Sequence, residues 1–344
     1  MRRAFFVTFC ALSFAACSAG REAAIPSGAA TVEAGAAGGV SDAAAGNVYV
    51  ANWYNSSVVV YSAAGRSKLR TITEGVANPN ALAVDKGGTL FVGNFGKPSG
   101  SLTSNIAVYS PGGSQPSRTI VQGILGPFAI AFNSSSKVYV ANYGATTVTV
   151  YPHGSNTLLQ TISDDVRSPE ALIFDKSGNL YVANWASNTV TVYPPGKGKA
   201  SRKLKADILR PDSLALDDAQ NLYVANHNGN SIAIYPPGRN RTPHKITKGV
   251  HEPLSMIAGP SNQLYVLNYL NNTVSIYDEG TLALTRVISA GIACPTTMAM
   301  SAAGYLYVAN SCPSSVAVYQ SSGSKPIRTL TKGLDGPVAI GIAP

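Results

Sequence analysis

Charged side chains are scarce in this chain: only 12% of its 344 residues are Asp, Glu, Lys or Arg, against about a quarter in an average globular protein. Long apolar segments are also missing. After the first 17 residues, no segment has the roughly 18 consecutive uncharged apolar residues that a membrane-spanning helix needs, which excludes a later membrane span. The sequence also lacks any motif that specifies a reaction. It therefore predicts an architecture and a cellular location, but names no chemistry.

What the chain has in abundance is typical of a turn-rich β protein. It contains 33 glycines and 21 prolines, and its Tyr, Val, Ile and Thr residues occur in short runs. Such runs between turn-forming residues predict β-strands. The formal net charge is +9 and becomes +7 when Arg2 and Arg3 are removed with the leader, so the chain is basic, but its charge is dilute.

The first 17 residues predict an export signal. Arg2 and Arg3 precede the apolar run AFFVTFCALSFAA, whose 13 residues are too few to span a membrane and typical of a secretory signal. The run is followed by Cys17, and AAC resembles a bacterial lipoprotein cleavage site with Cys17 as the acylated first residue. Phe14 departs from the Leu that is usual in this motif, so a free secreted protein is the alternative. Sec and twin-arginine export both stay open.

Residues 18–46 predict a linker. They are rich in Ala and Gly, contain no aromatic residue and show no periodicity, which is typical of a flexible tether between an anchor and a domain. The folded domain is then expected over residues 47–344, in the cell envelope or outside the cell. Export makes a nucleic-acid partner unexpected.

A repeat organises the rest of the chain. The sequence NLYVAN at 179–184 returns at 221–226, and its final Asn recurs with steps of 42 residues and one step of 48. Four short strands in each period of about 40 to 45 residues predict a β-propeller with four-stranded antiparallel blades. The recurring residues are Asn52, Asn94, Asn142, Asn184, Asn226, Asn268 and Asn310.

The strand count predicts how the ring closes. The second and third strands of the repeat occur seven times, whereas the first strand has its first copy at Pro79 and its last at Pro337, near the C-terminus. We therefore predict an all-β, seven-bladed propeller in which residues 337–343 supply the inner strand of the blade whose other strands come from about 47–73. That pairing removes two exposed strand edges.

The repeat resembles a known family. The pattern LYVAN…NTVTVYPPG…RTI…ALA.D..GNLYVAN is similar to the NHL-type and YVTN-type repeats of bacterial β-propellers, over about residues 47–344. The resemblance implies the propeller fold, with SMP-30/lactonase-like enzymes, streptogramin-lyase-like enzymes and many non-catalytic surface proteins as distant relatives. It also implies a site at the mouth of the central channel, on the face where the first strands begin.

Comparison among the seven copies separates frame from site. One ligand binds a ring asymmetrically, so a residue present in every copy is expected to be scaffold. The strand-ending Asn is therefore interpreted as a turn device. Thirteen of the 17 tyrosines also occupy repeated positions, and we expect them to pack between blades.

The residue after each strand-entering Pro is expected to crowd the channel mouth. Glu170 and Asp212 occupy this position on adjacent blades, and Asn80 lies two blades before Glu170. Carboxylate and amide oxygens are ligands for Ca²⁺ or Mg²⁺, so these three residues are a candidate metal site. The alternative is a solvated rim without an ion. The full set is Asn80, Phe128, Glu170, Asp212, Leu254, Thr296 and Val338.

The residue after each strand-ending Asn is aromatic in five of the seven copies. These side chains, with Trp53 and Trp185 foremost, are candidates for a stacking platform that binds a sugar or a peptide. The alternative is that they only separate neighbouring blades. The full set is Trp53, Phe95, Tyr143, Trp185, His227, Tyr269 and Ser311.

Two histidines are candidates for ligand binding or proton transfer. His227 stands where most copies have an aromatic residue, and His251 and Glu252 lie in the loop that enters the next blade on the same face. A His–His–Glu group suits acid–base chemistry, and streptogramin-lyase-like relatives carry His and Glu with a divalent metal on this face. However, this chain has Asn where those repeats tend to end in Glu, so no lyase motif carries over. Ordinary exposed histidines are the alternative.

Cys294 and Cys312 depart from the other blades. The predicted hairpin register sets Cys294 opposite Pro313 and Cys312 opposite Pro295. Exported proteins fold in an oxidising compartment, so a disulfide between the two is expected. Free thiols or a metal pair are the alternative, but no further Cys and no nearby His completes a ligand set.

Basic residues concentrate around the outer turns of two blades, mostly on the face opposite the expected site. Plain solubility explains them, and an anionic surface such as lipid headgroups or wall polymer is the alternative. They are Lys197, Lys199, Arg202, Lys203, Lys205, Arg239, Arg241, Lys245 and Lys248.

These patterns favour a non-catalytic, exported propeller that is lipid-anchored and monomeric. We expect it to bind a small molecule, glycan or protein on its rim, and to touch the membrane through its anchor only. No cofactor is firmly predicted, and Ca²⁺ or Mg²⁺ is the candidate. The alternative is a lyase or lactonase that depends on a divalent metal at the channel mouth. Dependence on Ca²⁺ or Mg²⁺ separates the two hypotheses.

Overall fold

The computed structural model describes residues 46–96, 103–240 and 244–344, and it shows an all-β protein. Seven four-stranded antiparallel sheets form the blades of a propeller, which confirms the predicted fold class. The expected acylation site Cys17 and residues 97–102, inside the insertion after Asn94, lie outside the described residues. In the part of the chain that is described, no helix is long and apolar enough to cross a membrane.

Each blade runs outward from the channel, with its first strand innermost and its fourth strand at the outer edge. Blade 1 combines the two ends of the described chain, and blades 2 to 7 follow in chain order. The strands of blades 1 to 3 are β1 (Val48–Asn52), β2 (Ser57–Tyr61), β3 (Lys68–Ile72) and β28 (Pro337–Ile342); β4 (Pro79–Val84), β5 (Leu90–Asn94), β6 (Asn105–Tyr109) and β7 (Arg118–Ile120); and β8 (Pro127–Phe132), β9 (Val138–Asn142), β10 (Thr147–Tyr151) and β11 (Gln160–Ile162).

The other four blades repeat this order, and two short 3-10 helices, Ala63–Gly65 and Trp185–Ser187, interrupt the connections of blades 1 and 4. The strands of blades 4 to 7 are β12 (Pro169–Phe174), β13 (Leu180–Asn184), β14 (Thr189–Tyr193) and β15 (Arg202–Leu204); β16 (Pro211–Leu216), β17 (Leu222–Asn226), β18 (Ser231–Tyr235) and β19 (His244–Ile246); β20 (Pro253–Gly259), β21 (Gln263–Asn268), β22 (Thr273–Asp278) and β23 (Leu284–Ile288); and β24 (Pro295–Met300), β25 (Tyr305–Asn310), β26 (Ser315–Gln320) and β27 (Arg328–Leu330).

Burial explains the strand sequences. The second strand of blade 4, LYVAN, is buried at all five positions because neighbouring blades cover both of its faces. A strand covered on both faces needs apolar residues throughout rather than in alternation. The fourth strand, RKL, buries only its last residue. Short outer strands of this kind leave little edge for pairing with another chain.

The ring closes between the two ends of the chain. β28 pairs antiparallel with β1, with Val48 opposite Ile342 and Ala51 opposite Ala339. The innermost strands of the seven blades then contact one another around the channel, including β28 with β4 and with β24. This arrangement confirms the predicted closure, in which the C-terminal strand completes the N-terminal blade.

A repeated tyrosine links each blade to the one before it. The Tyr193 hydroxyl of blade 4 donates to the backbone carbonyl of Asp164, in the loop that leaves blade 3, at 2.5 Å. Burial raises the pKa of Tyr193 to about 12, so the hydroxyl stays a donor at physiological pH. Tyr61 makes the same bond across the closure, to the carbonyl of Lys332 at 2.9 Å. The tyrosines in this position are Tyr61, Tyr109, Tyr151, Tyr193, Tyr235, Tyr277 and Tyr319.

The strand-ending Asn is part of the frame, but it acts as a clamp on a loop rather than as the expected turn device. Asn184 is fully buried, and its Oδ1 accepts the backbone N–H of Arg167 at 2.9 Å, in the loop that enters the same blade. Its Nδ2 donates to Oγ1 of Thr191 at 3.0 Å. Asn52 holds the loop from blade 7 in the same way, through the N–H of Asp335 at 3.1 Å.

Replacement of Asn184 by Ala is expected to lower the free energy of unfolding by about 3 kcal/mol, because it leaves the N–H of Arg167 and the hydroxyl of Thr191 without their hydrogen-bond partner. Denaturant unfolding followed by circular dichroism measures the change. Asn156→Ala is the matched control, since Asn156 is exposed on a turn, and its effect should stay below about 0.5 kcal/mol. Equal effects of the two replacements would show that the clamp is unimportant.

Candidate functional site

A bulge at the start of each innermost strand sets one residue apart from the ladder. In blade 4, Pro169 lies opposite Asn184 and Ala171 opposite Ala183, which leaves Glu170 unpaired between them. A bulge commonly re-aims a side chain beside a functional site. The bulged residues are those after the strand-entering prolines, and all are buried: Asn80, Phe128, Glu170, Asp212, Leu254, Thr296 and Val338.

The residue before each strand-entering Pro adopts the left-handed backbone conformation. Arg210 and Glu252 both have a φ of 48°, which side chains of L-residues rarely accept. Each N–H is held by the preceding blade: Arg210 donates to Oδ1 of Asn188 at 2.8 Å, and Glu252 donates to Oδ1 of Asn230 at 2.7 Å. These bonds fix both charged residues beside the channel mouth. The sequence offered no signal for this conformation.

Glu170 and Asp212, from blades 4 and 5, are in contact at the centre of the site. Glu170 is 7% exposed and Asp212 is 5% exposed. Burial and then the Asp212 carboxylate raise the pKa of Glu170 well above its usual value. Glu170 therefore keeps its proton to a higher pH than usual, because ionising a second carboxyl group beside the Asp212 carboxylate is unfavourable. The acid pair therefore presents a hydrogen-bond donor as well as acceptors.

His227 extends the acid pair toward the surface. Its Nδ1 lies 3.0 Å from Oδ2 of Asp212, an ion-pair distance whose angle is not that of a straight hydrogen bond, and its side chain is 25% exposed. Although burial opposes its charged form, the Asp212 carboxylate raises the pKa of His227; Glu252 adds to this effect and Arg210 opposes it. Glu170, Asp212 and His227 thus form one contiguous polar cluster that runs from the buried centre of the site toward the surface.

The predicted His–His–Glu group forms only in part. Glu252 lies near enough to His227 to favour its charged form, whereas the side chain of His251 is exposed. Among the described residues, no hydrogen bond or ion pair joins that side chain to His227 or Glu252. The backbone N–H of His251 donates to Oδ1 of Asn268, which is the clamp described above.

Asn80 is fully buried, and neither its Oδ1 nor its Nδ2 has a hydrogen-bond partner among the described residues. Oδ1 of Asp212 also lacks a fixed donor there. Unpaired buried polar atoms are rare in proteins and often mark a place for water, an ion or a ligand group. Phe128 occupies the blade between Asn80 and Glu170, so Asn80 belongs to the same ring of bulged residues but not to the acid pair.

The candidate metal site stays a prediction. Oxygen donors from Asn80, Glu170 and Asp212 suit a hard cation by their chemistry, and the unpaired atoms of Asn80 and Asp212 are compatible with one. Within residues 46–96, 103–240 and 244–344, no three His, Cys, Asp or Glu side chains group as ligands of a metal. Any ion would therefore depend on the Asn80 amide as its third protein ligand.

Five aromatic rings follow one another around part of the channel mouth and form what we call the aromatic arc. Four of them are residues that follow a strand-ending Asn, and these four are partly exposed. The fifth, Phe128, comes from the ring of bulged residues, and sequence comparison missed its place here. Successive ring centroids are 5.8, 5.7, 4.6 and 6.4 Å apart in the order Trp53, Phe95, Phe128, Tyr143 and Trp185.

The aromatic arc ends against the acid pair. Burial and then the charge of Glu170 raise the pKa of Tyr143, which places this ring beside the carboxyl groups. At this same end of the arc, the guanidinium of Arg210 lies 4.5 Å from the centroid of the Trp185 ring in a cation–π contact. The channel mouth therefore combines the flat apolar faces of the aromatic arc with the polar atoms of Glu170, Asp212 and His227.

Cys294 and Cys312 are joined by a disulfide bond on this face, with their Cα atoms 5.5 Å apart. The predicted register was wrong: Cys294 lies opposite Ser311, whose N–H donates to its carbonyl, rather than opposite Pro313. The turn and the bulge after Pro295 together shift the pairing by two residues. The disulfide bridges the loop that enters blade 7 and the turn after its second strand, beside the channel mouth.

Comparison with known proteins agrees with the fold. Residues 36–207 match the family described as SMP-30/Gluconolactonase/LRE-like region. The chain is similar to a solved protein of unknown function from Desulfotomaculum acetoxidans DSM 771, in a match that covers 87% of this chain and 99% of that protein's chain, with a TM-score of 0.72 and 16% identity. Virginiamycin B lyase from Staphylococcus aureus covers 75% of this chain and 85% of its own, with a TM-score of 0.63 and 12% identity. No curated protein matches the chain significantly.

The replacement Glu170→Gln is expected to remove a pH-dependent loss of stability. Folded Glu170 keeps its proton to a higher pH than unfolded Glu170, so its contribution is complete below the unfolded pKa, about 4.3, and declines as pH rises toward the folded pKa. The wild type should therefore lose stability relative to the variant by up to about 1.4 kcal/mol per pH unit over that window. Denaturant unfolding over a pH series measures this difference. A stability difference between wild type and variant that stays constant with pH would contradict the raised pKa of Glu170.

Proposed function

This protein belongs to the SMP-30/gluconolactonase/LRE-like family, and we propose that it is a non-catalytic binding propeller that holds a sugar-like ligand at its channel mouth. The proposal includes export and attachment to the cell envelope through an acylated Cys17. Cell fractionation with a wash in about 0.5 M salt, which removes purely electrostatic contacts, tests that location: Cys17→Ser should release the protein from the washed membrane fraction, and unchanged fractionation would rule out the anchor.

The observation that carries the proposal is the aromatic arc, which is partly exposed and adjoins the acid pair. A sugar ring has apolar C–H faces and a rim of hydroxyl groups. The faces suit stacking on Trp185 and Tyr143, and the hydroxyls suit a carboxyl pair that both donates and accepts. Binding sites generally combine apolar walls with a few convergent polar groups in this way.

Burial of the acid pair supports binding rather than catalysis. Glu170 and Asp212 are more than nine-tenths buried. In contrast, the four rings of the aromatic arc that follow a strand-ending Asn are partly exposed to water. A ligand on this face would meet the rings first and reach the carboxyl groups only with a protruding hydroxyl. Such a geometry orients a ligand, since one rim hydroxyl enters the centre while the ring stays on the surface.

A second candidate function is a lyase or lactonase that depends on a divalent metal. The unpartnered amide of Asn80 favours it, because a buried Oδ1 without a donor is a suitable ligand for Ca²⁺ or Mg²⁺. Asn80, Glu170 and Asp212 would hold the ion, which would polarise a substrate carbonyl. His227, which lies 3.0 Å from Oδ2 of Asp212, would then be a candidate to accept a proton from the substrate.

Binding is testable with intrinsic fluorescence, because the only two tryptophans of the chain, Trp53 and Trp185, both lie in the aromatic arc. Titration with cello-, malto- and chito-oligosaccharides is expected to change the emission. Trp185→Ala should weaken binding about tenfold, the loss expected for one stacking ring, with Trp53 as the remaining reporter. Leu270→Ala is the control, because Leu270 is exposed near this face but outside the arc. Unchanged binding by Trp185→Ala would assign the rings to packing alone.

Thermal unfolding with Ca²⁺, Mg²⁺, Mn²⁺ or Zn²⁺ separates the two functions. We expect no shift in Tm for the binding protein. A shift that disappears in Glu170→Gln and Asp212→Asn, but persists in the exposed variant Glu74→Gln, would favour the metal-dependent enzyme and overturn the non-catalytic proposal. The expected gain for an ion at 100 times its Kd is about 2.7 kcal/mol, which a thermal scan resolves easily.

A further inference from the structure

The outer parts of blades 4 and 5 are exceptionally basic, and we call this region the basic flank. Residues 194–206 contain five Lys or Arg and no acidic residue, and residues 236–249 contain four and no acidic residue. The corresponding segment of blade 3, residues 152–164, has one Asp and no Lys or Arg. Blades 1 and 7 carry three Lys or Arg each in the corresponding segments, residues 62–74 and 320–332, so the highest density of basic residues falls on the two neighbours, blades 4 and 5.

The structure brings the two basic turns side by side. Nε of Arg202 in blade 4 donates to Oδ1 of Asn240 in the turn of blade 5 at 2.9 Å, and its Nη2 donates to the carbonyl of Arg239. Lys197, Lys199 and Arg239 are exposed on these turns. Arg202 therefore holds the second turn against the first, so the charges of both form one surface.

Few acidic groups neutralise this surface. Lys203 pairs with Asp165 at 2.5 Å and Lys245 with Asp207 at 3.5 Å, both on the outer strands. Among the described residues, the turn residues Lys197, Lys199 and Arg239 make no ion pair. Arg241, in the same turn as Arg239, lies outside the described residues. Asp164 also reaches the blade 4 turn, where its Oδ2 accepts the N–H of Ala200 at 2.9 Å, but the exposed turns keep a net positive charge.

The basic turns and the start of the domain lie on the same face. Each turn joins a third strand to a fourth, at the end where the first strand stops, opposite the channel mouth. The described chain begins at Gly46, whose N–H donates to the carbonyl of Ala343 just beyond β28, at that same end. A linker from Cys17 to Gly46 would reach up to roughly 100 Å, which is long enough to let this face settle on a membrane.

We propose that the basic flank docks this face of the propeller on anionic lipid headgroups, with the channel mouth directed away from the membrane. The sequence led us to expect the lipid anchor as the only membrane contact, and this inference adds a second contact, which rests on the proposed anchor but not on the proposed ligand binding. An anchored chain already lies at the lipid surface, so lipid headgroups are the anions that the flank meets first. Attraction of this kind acts over about a Debye length and is weakened by salt.

Vesicle sedimentation tests the proposal without the acyl group. The mature chain from residue 17, carrying Cys17→Ser, is mixed with phosphatidylcholine vesicles with or without phosphatidylglycerol. We expect binding only to the anionic vesicles, and loss of that binding in about 0.5 M salt. The triple variant Lys197→Glu/Lys199→Glu/Arg239→Glu should bind at least about 100-fold more weakly.

A matched variant separates a local surface from net charge. Lys86→Glu/Lys325→Glu/Lys332→Glu makes the same change in charge on blades 2 and 7, outside the basic flank, at residues that are also exposed. Lys325 lies in the corresponding turn of blade 7, so this variant tests whether blades 4 and 5 in particular are needed, and it should keep most of the binding. Tryptophan emission confirms that both variants are folded. Failure to bind anionic vesicles, equal binding to neutral vesicles, or equal loss in the two variants would overturn the proposal. Binding to soluble polyglycerol phosphate but not to vesicles would also overturn it, in favour of a polymer ligand.

Discussion

The whole ring depends on hydrogen bonds that cross from one blade to the next. In each blade, the third strand carries a tyrosine at or next to its end, and this tyrosine donates to a backbone carbonyl in the loop from the preceding blade. The second strand of each blade ends in an asparagine that holds the same loop. A single blade has two apolar faces and cannot bury either alone. These polar contacts fix the distance and angle between blades, and that geometry decides which bulged residues meet at the channel mouth.

The position of Glu170 and Asp212 follows from that frame. The bulge occurs at the same register position in both blades, so the two carboxyl side chains leave neighbouring inner strands at equivalent positions. Two carboxyl groups in contact are costly to bury, and a buried acid with a raised pKa marks a candidate functional site. The unpaired amide of Asn80, in the same ring, supports the same conclusion.

Much of the fold could be predicted from the sequence, because the spacing of Asn184 and its counterparts counts the blades and locates the closure. The site was predictable only as a set of positions. The contact between Glu170 and Asp212 needs a bulge, and the left-handed backbone at Arg210 needs a bond from another blade; neither leaves a mark in local composition. The misplaced register at Cys294 has the same origin, since a bulge changes pairing without changing the hydrophobic pattern.

The closure also sets an order of events in time. β28 supplies the inner strand of the first blade, so that blade is completed only after the other six blades have been synthesised. Until it emerges, β1 has an open edge and the ring has no fixed circumference. The ring therefore cannot close during synthesis until β28 has emerged, and the pairing of β1 with β28 joins residues far apart in the sequence, which makes closure a non-local step.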